Sequence, residues 1–156
     1  MARKCFKNFT LIDTKNSVCL ENISMIIEND EIISVYPDSE VPADVDFDSM
    51  EIFDCTGKFI MPGLCNVHVH IMFTGEKLPQ ASSLNHKLVK FLAGLPGIRN
   101  ALMKKRKKVL QISLESGITV LRVLGDVNYG DIKIRDDINA GKIFGPHLFA
   151  AGRSIT

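Results

Sequence analysis

The stretch PGLCNVHVHIMF, residues 62–73, decides what this sequence is expected to fold into. A Pro-Gly break precedes a nearly continuous apolar run that contains two of the chain's four histidines, His68 and His70. Apolar residues at successive positions are typical of a strand that is buried on both faces of a parallel sheet. The stretch therefore predicts the first strand of an α/β region, with two imidazoles inside it.

Side-chain alternation predicts that the two histidines project on the same side of this strand. In a regular strand Asn66, His68 and His70 share one face, and the opposite face is wholly apolar, with Cys65 as a buried filler. Two histidines spaced in this way can both reach one zinc ion. A lone strand histidine is more often a structural residue, but functional groups of parallel α/β folds gather at the carboxyl ends of strands, where this pair lies. The position favours a metal site.

Two ligands are fewer than the three that catalytic zinc usually takes from the protein. The nearby candidates for a further ligand are Asn66, Asp126 and His147, and none of them stands at a spacing that selects it. His147 is expected to be a surface or loop residue. The residues alone therefore leave the ligand set open.

The segment after Gly63 alternates between strand and helix patterns. Helical patterns cover residues 84–95 and 99–116, a strand rich in β-branched residues follows at 118–125, and DIKIRDDINAGKIFGPHLFAAG continues with a short helix and a third strand. This alternation predicts parallel crossover connections, and Gly117 is the expected stop of the second helix. That helix is expected to bury a stripe formed by Leu102, Val109, Ile112 and Ser116.

The first 60 residues are β-rich and predict a small antiparallel sheet. Asn29-Asp30 stands between two apolar runs and predicts a tight hairpin, because Asn and Asp tolerate positive φ. We therefore expect an N-terminal β subdomain over residues 1–60 and an α/β portion over residues 61–156.

The bulk composition restricts the class of function. A formal net charge of +1 gives no general attraction to nucleic acid or to anionic lipid. The basic run KKRKK, residues 104–108, is expected to be a solvated helix face, because successive residues of a helix point in all directions. Four scattered cysteines, a polar N-terminus and the lack of a long apolar span favour a soluble, cytoplasmic protein that binds neither nucleic acid nor membranes.

Four stretches together resemble the amidohydrolase superfamily. GKFIMPGLCNVHVH is similar to its Pro-Gly-Leu turn and first barrel strand ending in His-x-His, ENDEIISVYP to its N-terminal hairpin, and LESGITVLRVLGD to its passage into strand two. INAGKIFGPHLFAAGRSIT is most similar to the subgroup of imidazolonepropionases and Xaa-Pro dipeptidase-like enzymes. The resemblance covers nearly the whole chain.

The resemblance implies roles for particular residues. It makes His68 and His70 ligands of one or two divalent metal ions, usually zinc, which polarise a carbonyl and activate water for attack on an amide or cyclic amide carbon. Asn66 stands where the family usually has an aspartate and would orient the strand end. Arg122 matches an arginine often found in strand two, but Val123 replaces the aspartate that usually follows it, and Arg122 is also explained as a structural ion-pair partner.

The implied fold is α/β: the opening strands and helices of a (β/α)₈ TIM-type barrel after a small β-sandwich subdomain, both incomplete in this chain. A complete barrel needs typically about 250 residues, and the family's remaining ligands and proton shuttle lie on later strands, so no catalytic residue is expected here. We expect the N-terminal part of a hydrolase of small-molecule or dipeptide-like amides, either homo-oligomeric or completed by its missing C-terminal part. The alternative is a non-catalytic fragment that self-associates or completes a partner.

Overall fold

The computed structural model describes residues 3–72 and 91–152, and it divides the chain into two compact units, Met1–Pro62 and Gly63–Thr156. The first unit contains a five-stranded sheet with a short 3₁₀ helix, Phe47–Ser49, before its fourth strand. Its strands are β1 (Arg3–Asp13), β2 (Val18–Glu28), β3 (Glu31–Pro37), β4 (Met50–Asp54) and β5 (Phe59–Ile60).

The sheet of the first unit is mixed, so the prediction of an antiparallel sheet is wrong for two of its strands. β2 pairs antiparallel with both β1 and β3, whereas β4 and β5 both pair parallel with β1. The reason is the connection after β3, which returns the chain to the far side of β1 and gives β4 the direction of β1. The predicted hairpin at Asn29-Asp30 is confirmed: Glu28 pairs with Glu31 across a two-residue turn, and Asn29 has a φ of 57°.

The second unit contains a three-stranded parallel sheet in the order β6-β7-β8. The predicted alternation of strand and helix is confirmed in the described part of this unit. Its elements are β6 (Leu64–Val69), α1 (Pro96–Glu115), β7 (Ile118–Val123), a 3₁₀ turn (Val127–Tyr129), α2 (Gly130–Asn139) and β8 (His147–Ala150). Gly117 follows α1 with a φ of 78°, as expected of a helix stop. Of the predicted helix at 84–95, residues 84–90 lie outside the described residues and residues 91–94 are helical.

The buried face of α1 differs from the predicted stripe. Ile112 is 44% exposed, and the buried residues are Arg106, Val109, Leu110 and Ser113. These four follow the spacing i, i+3, i+4 and i+7 of one helix face. The prediction is confirmed for Val109 and wrong for Ile112 and Ser116, which are exposed. A count of apolar residues treats Arg106 as a surface residue, whereas Arg106 is 3% exposed.

The run of basic residues in α1 is therefore not one uniform surface. Lys104, Lys107 and Lys108 are exposed, as expected of a solvated helix face, but Arg106 points into the unit. The core beside it is formed by Ile71, Val109, Leu110, Leu121, Val123, Ile134 and Leu148. Within the described ranges, every helix is too short or too polar to cross a membrane.

Candidate metal site

The two histidines of the quoted motif lie together at the carboxyl end of β6. His68 is in the strand, His70 comes just after it, and both are exposed. Their ring centroids are 5.6 Å apart and their planes make an angle of 72°. Two imidazoles that share a tetrahedral zinc ion, with Zn–N bonds of about 2.0–2.1 Å, have centroids roughly 5 Å apart. The separation of the two rings is therefore close to the spacing of two imidazoles on one zinc ion.

The amide of Asn66 supports the backbone at this point. Its Oδ1 atom accepts a hydrogen bond from the backbone N–H of His68, at 3.1 Å. This contact fixes the peptide from which His68 projects, and it engages the amide oxygen. Asn66 therefore acts on the histidine backbone in this structure.

The strand that carries the histidines is less regular and more exposed than predicted. The four residues Asn66 to Val69 of β6 lie opposite the three residues Leu121 to Val123 of β7, so strict alternation is interrupted, as at a β-bulge. Cys65 is exposed and is not a buried filler, and Val67 is 62% exposed. The predicted burial on both faces is wrong because β6 is the edge strand of its sheet in the described residues, whereas α1 and α2 contact β7 and β8.

Arg122 lies in the neighbouring strand and is exposed. It pairs in register with Phe149 of β8, while the residues on either side of it, Leu121 and Val123, are buried in the core. Arg122 makes no ion pair with any residue in 3–72 or 91–152. Its side chain therefore lies on the face of β7 opposite to that of Leu121 and Val123.

His147 is at the wrong end of the sheet to share an ion with the pair. It begins β8 and pairs in register with Val120, which in turn pairs with Cys65. A rise of about 3.3 Å per residue places the level of Cys65 roughly 10 Å below His68 along the strands. His147 is a surface residue, as expected, but it lies in a strand and not in a loop, and its ring centroid is 4.8 Å from that of Phe149.

Asp126, the last of the candidate ligands, is committed to another partner. Arg106 donates from Nε to Oδ2 at 2.6 Å and from Nη2 to Oδ1 at 3.1 Å. The two side chains are 3% and 1% exposed, so this is a buried, bidentate ion pair. In the part of the chain that the structure describes, no group of three or more His, Cys, Asp or Glu residues could hold a metal ion.

Sequence patterns did not identify this ion pair. Arg106 stands among four lysines, and Asp126 follows a glycine at the end of β7, 20 residues later. The sequence contains one local indication of the burial of Arg106. The single arginine of the basic run falls on the same helix face as Val109, Leu110 and Ser113.

Comparison with known proteins gives partial matches in sequence and near-complete matches in structure. No family model matches the chain. The chain is 37% identical over 71 residues to a 5-methylthioadenosine/S-adenosylhomocysteine deaminase of Bacillus cereus. The matched segment is 44% of this chain and 15% of the deaminase. A Xaa-Pro dipeptidase structure matches with a TM-score of 0.73 and 24% identity, over 99% of this chain and 34% of the dipeptidase. A molinate hydrolase matches with a TM-score of 0.67 and 26% identity, over 99% of this chain and 30% of the hydrolase.

Proposed function

We propose that this chain, whose resemblance to the amidohydrolase superfamily is confirmed by its curated and structural relatives, is the N-terminal part of a metal-dependent hydrolase of C–N bonds. The chain spans about a third or less of the length of the relatives named above. The activity therefore belongs to a larger protein, to which this chain contributes the first part of the site.

The observation that carries the proposal is the arrangement of His68 and His70. Both imidazoles are exposed at the carboxyl end of the first parallel strand, with ring centroids 5.6 Å apart. Parallel α/β folds place catalytic groups at this end of their strands. We assign the pair as ligands of zinc, and Asn66 as the residue that positions the backbone of His68.

The ion supplies Lewis-acid polarisation of a carbonyl and activation of water, in a protein with one or two such ions. This chain's own contribution is to present two imidazole donors side by side at the carboxyl end of β6. Arg122, exposed on the neighbouring strand, supports the site as a positive charge for a polar or anionic substrate group. The remaining ligands and the group that transfers protons come from outside this chain, so none of its residues is assigned as catalytic.

The proposed architecture follows the same division. Residues 1–60 form part of a small β-sandwich, and residues 61–156 form the first βαβαβ portion of a (β/α)₈ barrel whose later strands complete the edge at β6. The proposed substrate is a small-molecule or dipeptide-like amide, and the proposed site of action is the cytoplasm. The chain is proposed either to form a homo-oligomer or to be completed by the C-terminal part of the same protein.

One observation favours a second candidate, a non-catalytic chain that associates with itself or completes a partner. Leu64 and Val67 on the edge strand are 48% and 62% exposed, and such an edge favours pairing with another strand. The two candidates differ in the mass of the denatured polypeptide from the native cell. A polypeptide far heavier than 17.3 kDa is expected if this chain is part of a hydrolase. A polypeptide mass that matches this chain alone favours the second candidate, whatever the size of the assembly that it forms.

The direct test is zinc binding by the complete native protein. We expect His68→Ala to weaken zinc binding by more than the roughly 10–100-fold that loss of an outer-shell partner costs. His147→Ala is the matched control, because it also removes an exposed strand histidine but lies at the opposite end of the sheet. Equilibrium competition against a chromogenic chelator measures both variants. Unchanged zinc affinity in His68→Ala contradicts the proposed function.

A further inference from the structure

Arg106 links α1 to the carboxyl ends of two strands. Besides the ion pair with Asp126, its Nη2 atom donates to the backbone carbonyl of Val127 at 3.3 Å and to the thioether sulfur of Met72 at 3.6 Å. Val127 follows the end of β7, and Met72 comes two residues after His70. One buried guanidinium therefore contacts the segments that follow both β6 and β7.

Gly152, which follows the end of β8, contacts the same group of residues. The backbone N–H of Asp126 donates to the carbonyl of Gly152 at 3.0 Å. The carboxylate of Asp131, which is fully buried, accepts the N–H of Gly152 at 2.8 Å and that of Ile132 at 2.9 Å. Arg106, Asp126 and Asp131, called here the strand-end network, thus connect the ends of all three described parallel strands.

His70 lies between two contacts to this part of the molecule. On one side, the carbonyl of Val69 accepts a hydrogen bond from the N–H of Leu124, at 3.3 Å, two residues before Asp126. On the other side, Met72 receives the weak hydrogen bond from Arg106. The segment that carries His70 is therefore held by a backbone hydrogen bond at Val69 and by a side-chain contact at Met72.

The loop within the network has a conformation that needs such support. Asn128 and Tyr129 both have left-handed backbone angles, with φ of 53° and 56°. Asparagine tolerates this conformation, but it is unfavourable for the bulky side chain of Tyr129. Asp126 accepts the N–H of Val127 at 2.6 Å, and Gly130 packs directly on the Arg106 guanidinium. Strained backbone persists where its surroundings determine it, and it clusters at functional sites.

We propose that Arg106 is a positioning residue for the His68–His70 metal site, which it serves by fixing the carboxyl ends of the strands through Asp126. The expected effect on zinc affinity rests on the proposed function. The inference adds to the site a residue that lies outside the His-x-His motif. Arg106 touches neither imidazole, so its effect passes through the backbone of residues 69–72 and 124–127.

The test must separate positioning from simple loss of stability. Arg106→Met alone leaves the Asp126 carboxylate buried without its partner, which destabilises the fold whatever the role of the pair. The informative variant is the double substitution Arg106→Met with Asp126→Asn, made in the complete protein. It removes both buried charges and keeps an acceptor for the N–H of Val127. Lys107→Met is the matched control, because it removes an exposed cation from the same helix.

We expect the double variant to remain folded, with zinc affinity about tenfold lower than that of the unmodified protein, at the lower end of the effect of outer-shell partners. Arg106→Lys, which keeps the charge but not the forked geometry, should recover part of that loss. Lys107→Met should bind zinc as the unmodified protein does. A folded double variant with unchanged zinc affinity overturns the proposal.

Hydrogen exchange provides a readout that does not depend on zinc. We expect faster amide exchange in the double variant at residues 64–72 and 123–130, with no change in the first unit. If His68→Ala leaves zinc affinity unchanged, the proposed function fails, and exchange alone then decides whether Arg106 positions these strand ends. Should the double variant unfold, Arg106→Lys provides the same exchange comparison. Unchanged exchange in both segments overturns the positioning role.

Discussion

Replacing Gly130 by alanine tests the packing around the buried ion pair. Gly130 begins α2 and already has helical backbone angles, with φ −64° and ψ −31°, so alanine meets no conformational barrier there. Helix propensity alone favours the alanine by up to about 1 kcal/mol. The structure predicts the opposite sign, because a Cβ atom at this position would lie 2.2 Å from Nη2 and 2.3 Å from Cζ of Arg106.

The size of the effect depends on how far the guanidinium can move. Arg106 is 3% exposed and is bound to Asp126 at 2.6 Å, so it has little freedom to withdraw. Inserting a methyl group into such a site costs typically 1–3 kcal/mol. The cost rises toward about 3–5 kcal/mol if the ion pair breaks and leaves a buried charge without its partner. We therefore expect Gly130→Ala to lower the free energy of unfolding by about 1–3 kcal/mol or more.

Urea unfolding followed by circular dichroism measures this free energy. Gly97→Ala is the matched control, because Gly97 lies in the first turn of α1 and an added Cβ would meet no atom within 4 Å. The control should be neutral or slightly stabilising, as helix propensity predicts. If Gly130→Ala is as stable as the unmodified protein, the reasoning about a rigid, closely packed guanidinium is refuted.

Two further predictions concern the cores of the two units. Leu110→Ala, at a fully buried position of α1, should lower the free energy of unfolding by about 2–5 kcal/mol. Ile112→Ala, at a 44% exposed position, should lower it by about 0.5 kcal/mol or less. Equal losses for the two variants in urea unfolding would contradict the observed buried face. In the first unit, burial and the neighbouring Cys5 thiol raise the pKa of Tyr36 from 10.0 to about 12. Because the folded state retains this proton more tightly than the unfolded state, the resulting stability is present below pH 10 and is lost as the pH rises to about 12. Stability measured between these pH values should fall less steeply in Tyr36→Phe, and an identical slope would refute the assignment.

Local patterns in the sequence predict those features that depend on neighbouring residues. The turn at Asn29-Asp30 follows from residues that tolerate positive φ, and the end of α1 follows from Gly117. The strand of residues 118–123 follows from its β-branched side chains, and the closeness of the His68 and His70 rings follows from their spacing of two. Each of these needs only the conformation of a few consecutive residues.

Features that depend on distant partners could not be predicted in the same way. The direction of β4 depends on where the chain returns after β3, and nothing in MEIFD itself distinguishes parallel from antiparallel pairing. The exposure of Cys65 depends on the edge position of β6 and on its slipped register with β7. Arg106 is buried because Asp126, 20 residues away, neutralises it, and apolar periodicity carries no information about that partner.

The same distinction applies to the proposed metal site. A spacing of two provides two donors on a strand, but whether they converge on one ion depends on the backbone of residues 66–70, which is irregular relative to β7. That backbone is held by the hydrogen bond between the Asn66 amide and His68 and by the backbone hydrogen bond between Leu124 and Val69. The strand-end network contacts Met72 on one side of the histidines and the loop after β7 on the other. A His-x-His motif placed on a strand without these contacts would have the same donors but a less defined geometry. The zinc affinity of the pair should therefore depend on Arg106 as well as on the two histidines.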